Sequence, residues 1–366
     1  MDRRTFLKAT GACAATTATA STALAASRSR LPIPAETNPK TRAEPSLSAP
    51  ALIKDILELR LSMPWSDNLA GPSDQLRKLV MNLKSATDGR IRIEIKQKHS
   101  SAATAFQADK ADLYFGPLNT HENAPKAALY FTGLPHKGGL SAANLEAWTS
   151  MTGAGQPLDE LGAHMDFKPL LAGHLGEQPG LWSKTPIQSM ADLHGRKVAL
   201  TGAPEDIMRA FGAHPVKVPM SSLQSALANG TIDVAECGSF HIAMSLKLHS
   251  SANYVAKGVF NPEGTALTLT IAKPVWETLS RPDQAIFAAC AGQSYRKALT
   301  ENRALETPLS VALREHNQIK LNTIATTERN QSWERICDTF LAHISSSNDL
   351  ARRINASYTA FKNLAV

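Results

Sequence analysis

Glu236, Cys237, Ser239 and His241 lie within six residues of one another and set a carboxylate, a thiol, a hydroxyl and an imidazole on one short stretch. A thiolate or alkoxide beside imidazole attacks carbonyl carbon, so nucleophilic chemistry is weighed first. Cys237-Gly-Ser239-Phe-His241 is not the Gly-x-Ser-x-Gly elbow, however, and Cys237 has no identifiable activator. Glu236, Cys237 and His241 are also donor types for a soft metal, but three donors this close on a strand end do not converge by themselves. The closest histidine pairs, His164/His174 and His241/His249, lack the i, i+4 spacing around a glutamate that zinc hydrolases use. The four cysteines, Cys13, Cys237, Cys290 and Cys337, form no CxxC or metal-ligand spacing, and no glycine-rich nucleotide motif follows a predicted strand. The chain is therefore expected not to be an enzyme and to carry no organic cofactor.

Charge narrows the partners. The 366 residues hold 39 Lys+Arg against 32 Asp+Glu, a formal +7, and the excess is +5 beyond residue 26. No basic run with interleaved aromatics occurs, so nucleic acid is not an expected partner, whereas an anionic small solute suits the balance. With 43% hydrophobic and 19% charged residues, the chain has ordinary globular composition and the length for two domains.

The elements that must position these residues alternate strand and helix. Leu57 to Leu61 reads as a strand, Leu76, Leu79, Val80 and Leu83 as one helix face, and Arg90 to Lys96 as a half-buried strand of alternating charge and isoleucine. Ala111 to Phe115 is a further short strand. Lys197 to Thr201 (strand), Pro204 to Phe211 (helix), Pro215 to Val218 (strand), a helix capped by Ser221 or Ser222 and stopped by Gly230, and Ile232 to Glu236 (strand) make a βαβαβ unit. Ala266 to Ala272 reads as a strand, and Pro282 to His316 and Gln331 to Asn363 as long helices around Ile319 to Ile324. Cys290 and Cys337 fall on apolar helix faces and read as core.

The first 26 residues carry Arg3 and Arg4 before Phe6, Leu7 and Lys8, an uncharged Ala/Thr stretch, and a small-x-small end at Ala23-Leu24-Ala25. That is a twin-arginine export signal, so the expected location is the periplasm. Residues 27–54, with five prolines, read as a linker.

Three stretches carry a family resemblance. They are Leu59-Arg-Leu-Ser-Met-Pro-Trp65; Phe131-Thr-Gly-Leu-Pro135 with Trp148 to Leu161, running into Leu171-Ala-Gly-His-Leu-Gly-Glu-Gln178-Pro-Gly-Leu-Trp182; and Ile187-Gln-Ser-Met-Ala-Asp-Leu-His-Gly195-Arg-Lys197-Val-Ala199 continuing to Asp233 and to Pro262-Glu-Gly-Thr265. In this order and behind an export signal, they resemble the DctP-type solute receptors of TRAP transporters, in the branch that binds keto acids and chloroaromatic acids. The resemblance implies an α/β, two-lobed periplasmic binding protein, hinged around a cleft and with long C-terminal helices. Its lobes would be 55–170 with 266–305 and 171–265 with 306–366. It implies hinge closure on a small organic solute, membrane-embedded TRAP transporter subunits as partners, and admits a homodimer.

The site residues implied are Trp65, Gln178, Trp182, Thr201, Glu236, Cys237 and Glu263, with Phe115 and Phe240 as further cleft aromatics. Gln178 and Glu236 match the positions that hold a bridging Na⁺ or Ca²⁺ ion in that branch. The chain departs from the pattern in four places. Ala199 stands where the family has a carboxylate-gripping arginine, Cys237 where the branch has tryptophan, and Pro262 where it has Glu or Gln, with Glu263 one step on. The segment after Gln97 is short. Arg196, Lys197 or Arg209 replaces the arginine only if its side chain reaches the cleft. A receptor that has lost its ligand and serves as a sensor or interaction protein, and a twin-arginine-exported enzyme, remain the alternatives.

Overall fold

The computed structural model describes residues 56–365 apart from 99–100, 108–110, 122–123, 135–138, 151–154, 201–204, 258–263 and 325. The leader at 1–26 and the linker at 27–54 lie outside these, as do Thr201 and Glu263. The described residues belong to one compact unit, Ile53–Val366.

Among them, two sheets form. The first has the order β2-β1-β3-β10-β4, from β1 (Leu57–Met63), β2 (Ile91–Lys98), β3 (Leu113–Gly116), β4 (Phe167–His174) and β10 (Ala266–Ala272). The second has the order β11-β9-β5-β8-β6-β7, from β5 (Leu181–Ser183), β6 (Lys197–Ala199), β7 (His214–Pro215), β8 (Val234–Ala235), β9 (Tyr254–Lys257) and β11 (Lys320–Thr323). Each sheet is parallel except for one strand, β10 in the first and β5 in the second. Those two strands directly follow the crossovers between sheets. The helices are α1 (Pro72–Ala86), α2 (Ala102–Gln107), α3 (Ala142–Ser150), α4 (Gly155–His164), α5 (Glu205–Ala210), α6 (Leu223–Ala228), α7 (Phe240–Ser245), α8 (Lys273–Thr278), α9 (Arg281–Glu315), α10 (Thr326–Ser346) and α11 (Asp349–Ala365).

Local sequence explains most of this. In β1, Leu59, Leu61 and Met63 alternate into the core, while Arg60 between them pairs with Asp112 at 3.0 Å. Helix α1 starts on Pro72, buries Leu76, Leu79 and Leu83, and ends at Ala86; left-handed Asp88 (φ +49°) then turns the chain so that the Gly89 N–H bonds back to the Lys84 carbonyl at 2.8 Å. Each buried leucine contributes about 2 kcal/mol. Helix α9 carries Phe287, Cys290 and Ala291 into the first sheet's core and Leu313 into the second's, so it ties both together. Cys290 and Cys337 are buried in the hydrophobic core, as expected.

Several expectations are corrected. The single helix read over Gln331 to Asn363 is two, because Asn348 accepts the Ala351 N–H at 2.8 Å and starts α11. The strand expected from Pro215 to Val218 is the two-residue β7, and Ile232 to Glu236 shortens to β8. Ser222 precedes α6 without a side-chain cap, and Ser225 instead donates to the Ser222 carbonyl. The sequence reading groups 306–366 with the second lobe. Its last helix, α11, bonds instead to elements beside the first sheet: Tyr358 accepts from the Leu140 N–H (2.7 Å), Ser357 from Trp148 Nε1 (3.1 Å), and Asn355 from the Tyr130 hydroxyl (2.7 Å).

Leu175 and Gly176 on the first crossover, residues 175–180, touch Gly264 and Thr265 just before β10 backbone to backbone. The Leu175 N–H donates to the Thr265 carbonyl at 2.9 Å, and a Cβ on Gly264 (φ +79°) would sit 1.7 Å from the Gly176 oxygen. Gly264→Ala is therefore expected to destabilise the fold by about 2 kcal/mol or more, from both the clash and the left-handed backbone, as measured by urea unfolding.

Candidate functional site

In parallel α/β sheets, ligands bind beyond the carboxyl ends of the strands. Here β4 runs directly into the first crossover, and the loop that follows β8 lies against it. The node is His174, the last residue of β4. Gln75 on α1 accepts the His174 N–H at 2.9 Å and donates to its carbonyl at 2.8 Å. Asn302 on α9 donates to that carbonyl at 3.1 Å, and Nδ1 of His174 accepts the Gly176 N–H at 3.0 Å. Burial pushes the His174 imidazole down to about 3, so it stays neutral, with its second nitrogen carrying the proton.

Gln178 lies on the first crossover, half-buried, and its amide donates to Thr265 Oγ1 on the second at 3.3 Å. Glu236 follows β8 and is fully buried. Its Oε1 accepts the Gly238 N–H at 2.7 Å, and its own N–H donates to the Ala199 carbonyl at 2.9 Å. The loop carrying Glu236 lies on the crossover carrying Gln178: a Cβ on Gly176 would be 2.8 Å from Ser239 Cβ, and one on Gly238 would be 3.4 Å from Leu175 Cβ. Carboxylate, amide oxygen and turn carbonyls are hard donors, a set that fits Na⁺ or Ca²⁺ in type. No group of three His, Cys, Asp or Glu suited to a metal occurs among the described residues, so a soft-metal centre built on Cys237 and His241 is not formed there.

Trp65 follows β1, 5% exposed, and meets Phe115 edge-on at 6.2 Å. Trp182 on β5 meets Phe240 edge-on at 6.1 Å. Both indole N–H groups are buried with no hydrogen-bond partner among the described residues. Ser239 caps α7 by accepting the Ile242 N–H. Ile242 enters the first sheet's core cluster with Trp65, Leu69 and Leu175, so the two sides meet through α7. Cys237 is fully buried, and desolvation, then the Glu236 charge, push its thiol well up. A nucleophilic thiolate is thereby disfavoured.

Ala199 is 1% exposed in an apolar cluster with Trp182, Leu223, Cys237 and Phe240. The three candidate replacements for the arginine are engaged elsewhere. Arg196 donates to the Asp192 carbonyl and to Thr185, Lys197 to the Gly230 carbonyl, and Arg209 pairs with Glu205 and Asp206 on its own helix. Sequence reasoning missed Gln75, His174 and Asn302. The available signals were a histidine inside an apolar strand and glycines at 176 and 264.

Comparison with known proteins fits this architecture. Residues 151–346 match the model of the bacterial extracellular solute-binding protein family 7 (DctP), and residues 1–20 match the twin-arginine translocation signal sequence. The chain belongs to solute-binding protein family 7, and its leader directs it to the periplasm by the twin-arginine pathway. A monocarboxylate 2-oxoacid-binding periplasmic protein of Nostoc sp. is 28% identical over 180 residues, 49% of this chain and 49% of that protein. The chain thus matches about half the length of that relative. A solute-binding protein of Roseobacter denitrificans is 28% identical over 235 residues, 61% of this chain and 69% of that one. Among solved structures, a TRAP transporter solute binding protein from Bordetella bronchiseptica, with calcium and picolinate bound, has a TM-score of 0.80 at 21% identity and covers 85% of this chain and 93% of that one. A TRAP periplasmic solute binding protein from Pseudoalteromonas atlantica, with bound sodium and pyruvate, has a TM-score of 0.77 at 20% identity, covering 85% and 95%. These likenesses establish the fold, the one seen in those periplasmic solute binding proteins.

Two predictions follow from the site's electrostatics. His174 and His121, the latter pushed down to about 4 by burial, refuse protons in the folded chain that the unfolded chain accepts below pH 6.5. Each removes about 1.4 kcal/mol of stability per pH unit as pH falls, to about 4 for His121 and about 3 for His174. Glu306 works in the opposite sense between the ordinary carboxylate range and about 7, where burial and then Glu177 raise it, against Lys257. Urea unfolding at pH 7 and pH 5 is expected to show a smaller acid loss in His174→Gln than in wild type. Separately, Ala199→Arg places a charge in the Trp182 cluster and is expected to cost about 3 kcal/mol by the same measurement.

Proposed function

We propose that the protein is the periplasmic solute receptor of a TRAP-type transport system. It captures a small organic anion between two lobes built on the two sheets, closes about the crossovers, and presents the closed form to membrane-embedded transporter subunits. A ligand that touches both lobes favours closure in proportion to its differential affinity for that state. The observation that carries this reading is the seating of the Glu236 loop on the Gln178 crossover, where two sheets present their carboxyl ends.

With alanine at position 199 and Arg196, Lys197 and Arg209 engaged elsewhere, a carboxylate needs another positive partner. A Na⁺ or Ca²⁺ ion held by Gln178 and Glu236 supplies it. Trp65, Trp182 and Cys237 complete its walls; Thr201 and Glu263, the other residues that the resemblance implies, lie outside the described residues. Calcium with picolinate and sodium with pyruvate in the two structural relatives support a cation-assisted acid. The same burial of Ala199 among apolar side chains also favours a second reading, a receptor that no longer takes an acid and acts as a sensor or interaction protein.

A thermal-shift screen decides between them, using pyruvate, picolinate, C2 to C10 carboxylates and neutral polyols, each with and without Na⁺ or Ca²⁺. Binding to the folded state raises the melting temperature. A cation-dependent rise with an acid, lost in Glu236→Gln and Gln178→Ala, is expected. A flat screen in folded protein rejects the acid receptor and leaves the second reading.

A further inference from the structure

A recess of about 240 Å³ opens on the first sheet's edge strand, at the end of β4 remote from the crossovers. Its walls come from four elements: Glu146 and Thr149 on α3, Leu158 on α4, Lys168 on β4, and Ala288 and Gly292 on α9. Gly292 is inside a 35-residue helix, where glycine is disfavoured relative to alanine. No steric need explains it, because a Cβ there would come no closer than 3.6 Å to the Arg296 guanidinium, an ordinary contact. What the missing side chain does is keep the recess deep.

The charges around it are balanced. Glu146, with its side chain 17% exposed, pairs with Arg296 at 2.5 Å. Across the recess Lys168, 24% exposed, pairs with Asp159 and lies 5.7 Å over the Trp276 ring. Leu158, Ala288 and Leu171 give an apolar floor. Each of these groups already has a partner of opposite sign, so a guest with a net charge would unbalance the recess, whereas one carrying both signs can join both pairs and leave the net charge unchanged.

We propose that this recess is a second small-molecule site, separate from the cleft, that takes a short zwitterion: its carboxylate against Lys168, its ammonium against Glu146, its aliphatic part on the floor. The volume is on the order of that of eight waters, which suits a guest of about eight non-hydrogen atoms. The site abuts two elements that reach the His174 node, since β4 ends on His174 and α9 carries Asn302 further along the helix.

Melting temperatures of the exported protein are measured with L-alanine, L-proline and glycine betaine at millimolar concentration, against propionate and propylammonium as the separate charged halves. A rise of about 2–4 °C with at least one zwitterion and none with the halves is expected. The rise disappears in Gly292→Leu, which fills the recess, and its midpoint concentration increases at least tenfold in Lys168→Met and Glu146→Gln. If Gly292→Leu does not fold, the two charge variants decide. No shift with any zwitterion, or a shift unchanged in the variants, overturns the proposal.

Discussion

Everything in the molecule turns on a contact between two strands of backbone. The Gly176 carbonyl lies where a side chain on Gly264 would begin, and the Leu175 N–H bonds to the Thr265 carbonyl beside it. Only glycine gives this approach without displacing one chain from the other. Around it, Gln75 and Asn302 saturate the His174 carbonyl from α1 and α9, so two helices are pinned to the same residue. Losing any of these partners would leave a buried backbone group unpaired, which costs more than the bond itself contributes. The crossovers are therefore fixed at their base, and relative movement of the sheets is confined to what a few backbone torsions and α9 allow. Pro308 interrupts the hydrogen bonding of α9 a turn and a half past Asn302, where that helix passes from one core to the other.

The cleft side of this hinge is apolar and sealed. Ile242 is the second sheet's contribution to the first sheet's core, and its exposure on opening would cost about 2 kcal/mol. Two polar contacts span the same seam, Ser245 accepting the Ala70 N–H at 3.4 Å and Lys126 pairing with Asp206 at 2.9 Å. Both are solvent-exposed and weak. Apolar burial thus holds the seam, and the buried indole N–H groups of Trp65 and Trp182 find no acceptor among the described residues.

The electrostatics of the site follow from one substitution. An arginine at position 199 would bring its own positive charge to a bound carboxylate; alanine there lets Trp182, Leu223 and Phe240 close around the strand, and leaves Glu236 as the buried charge at the edge. A buried carboxylate at the edge of a site opposes an incoming acid anion, and a cation that enters with the acid offsets that repulsion. Alanine at position 199 is therefore compatible with the proposed ion and equally with the proposed alternative in which no acid binds.

The sequence alone determined the export route, since Arg3-Arg4 and the alanine-rich stretch act as linear signals, and it determined the α/β rhythm, because apolar periodicity is local. β10, Ala266–Ala272, follows directly from alternating Leu/Ile and Thr. Gln178 and Glu236 were also visible, but only as members of a motif. The tertiary structure decided what periodicity does not encode. The end of one helix at Asn348 depends on a single side-chain bond, β7 and β8 are short because their neighbours pair only briefly, and α11 lies beside the first sheet because Tyr358, Ser357 and Asn355 find partners there. The hinge node was invisible for the same reason. Gln75, His174 and Asn302 are far apart in sequence, and their meaning comes from sharing one carbonyl, a relation that exists only once the chain has closed on itself.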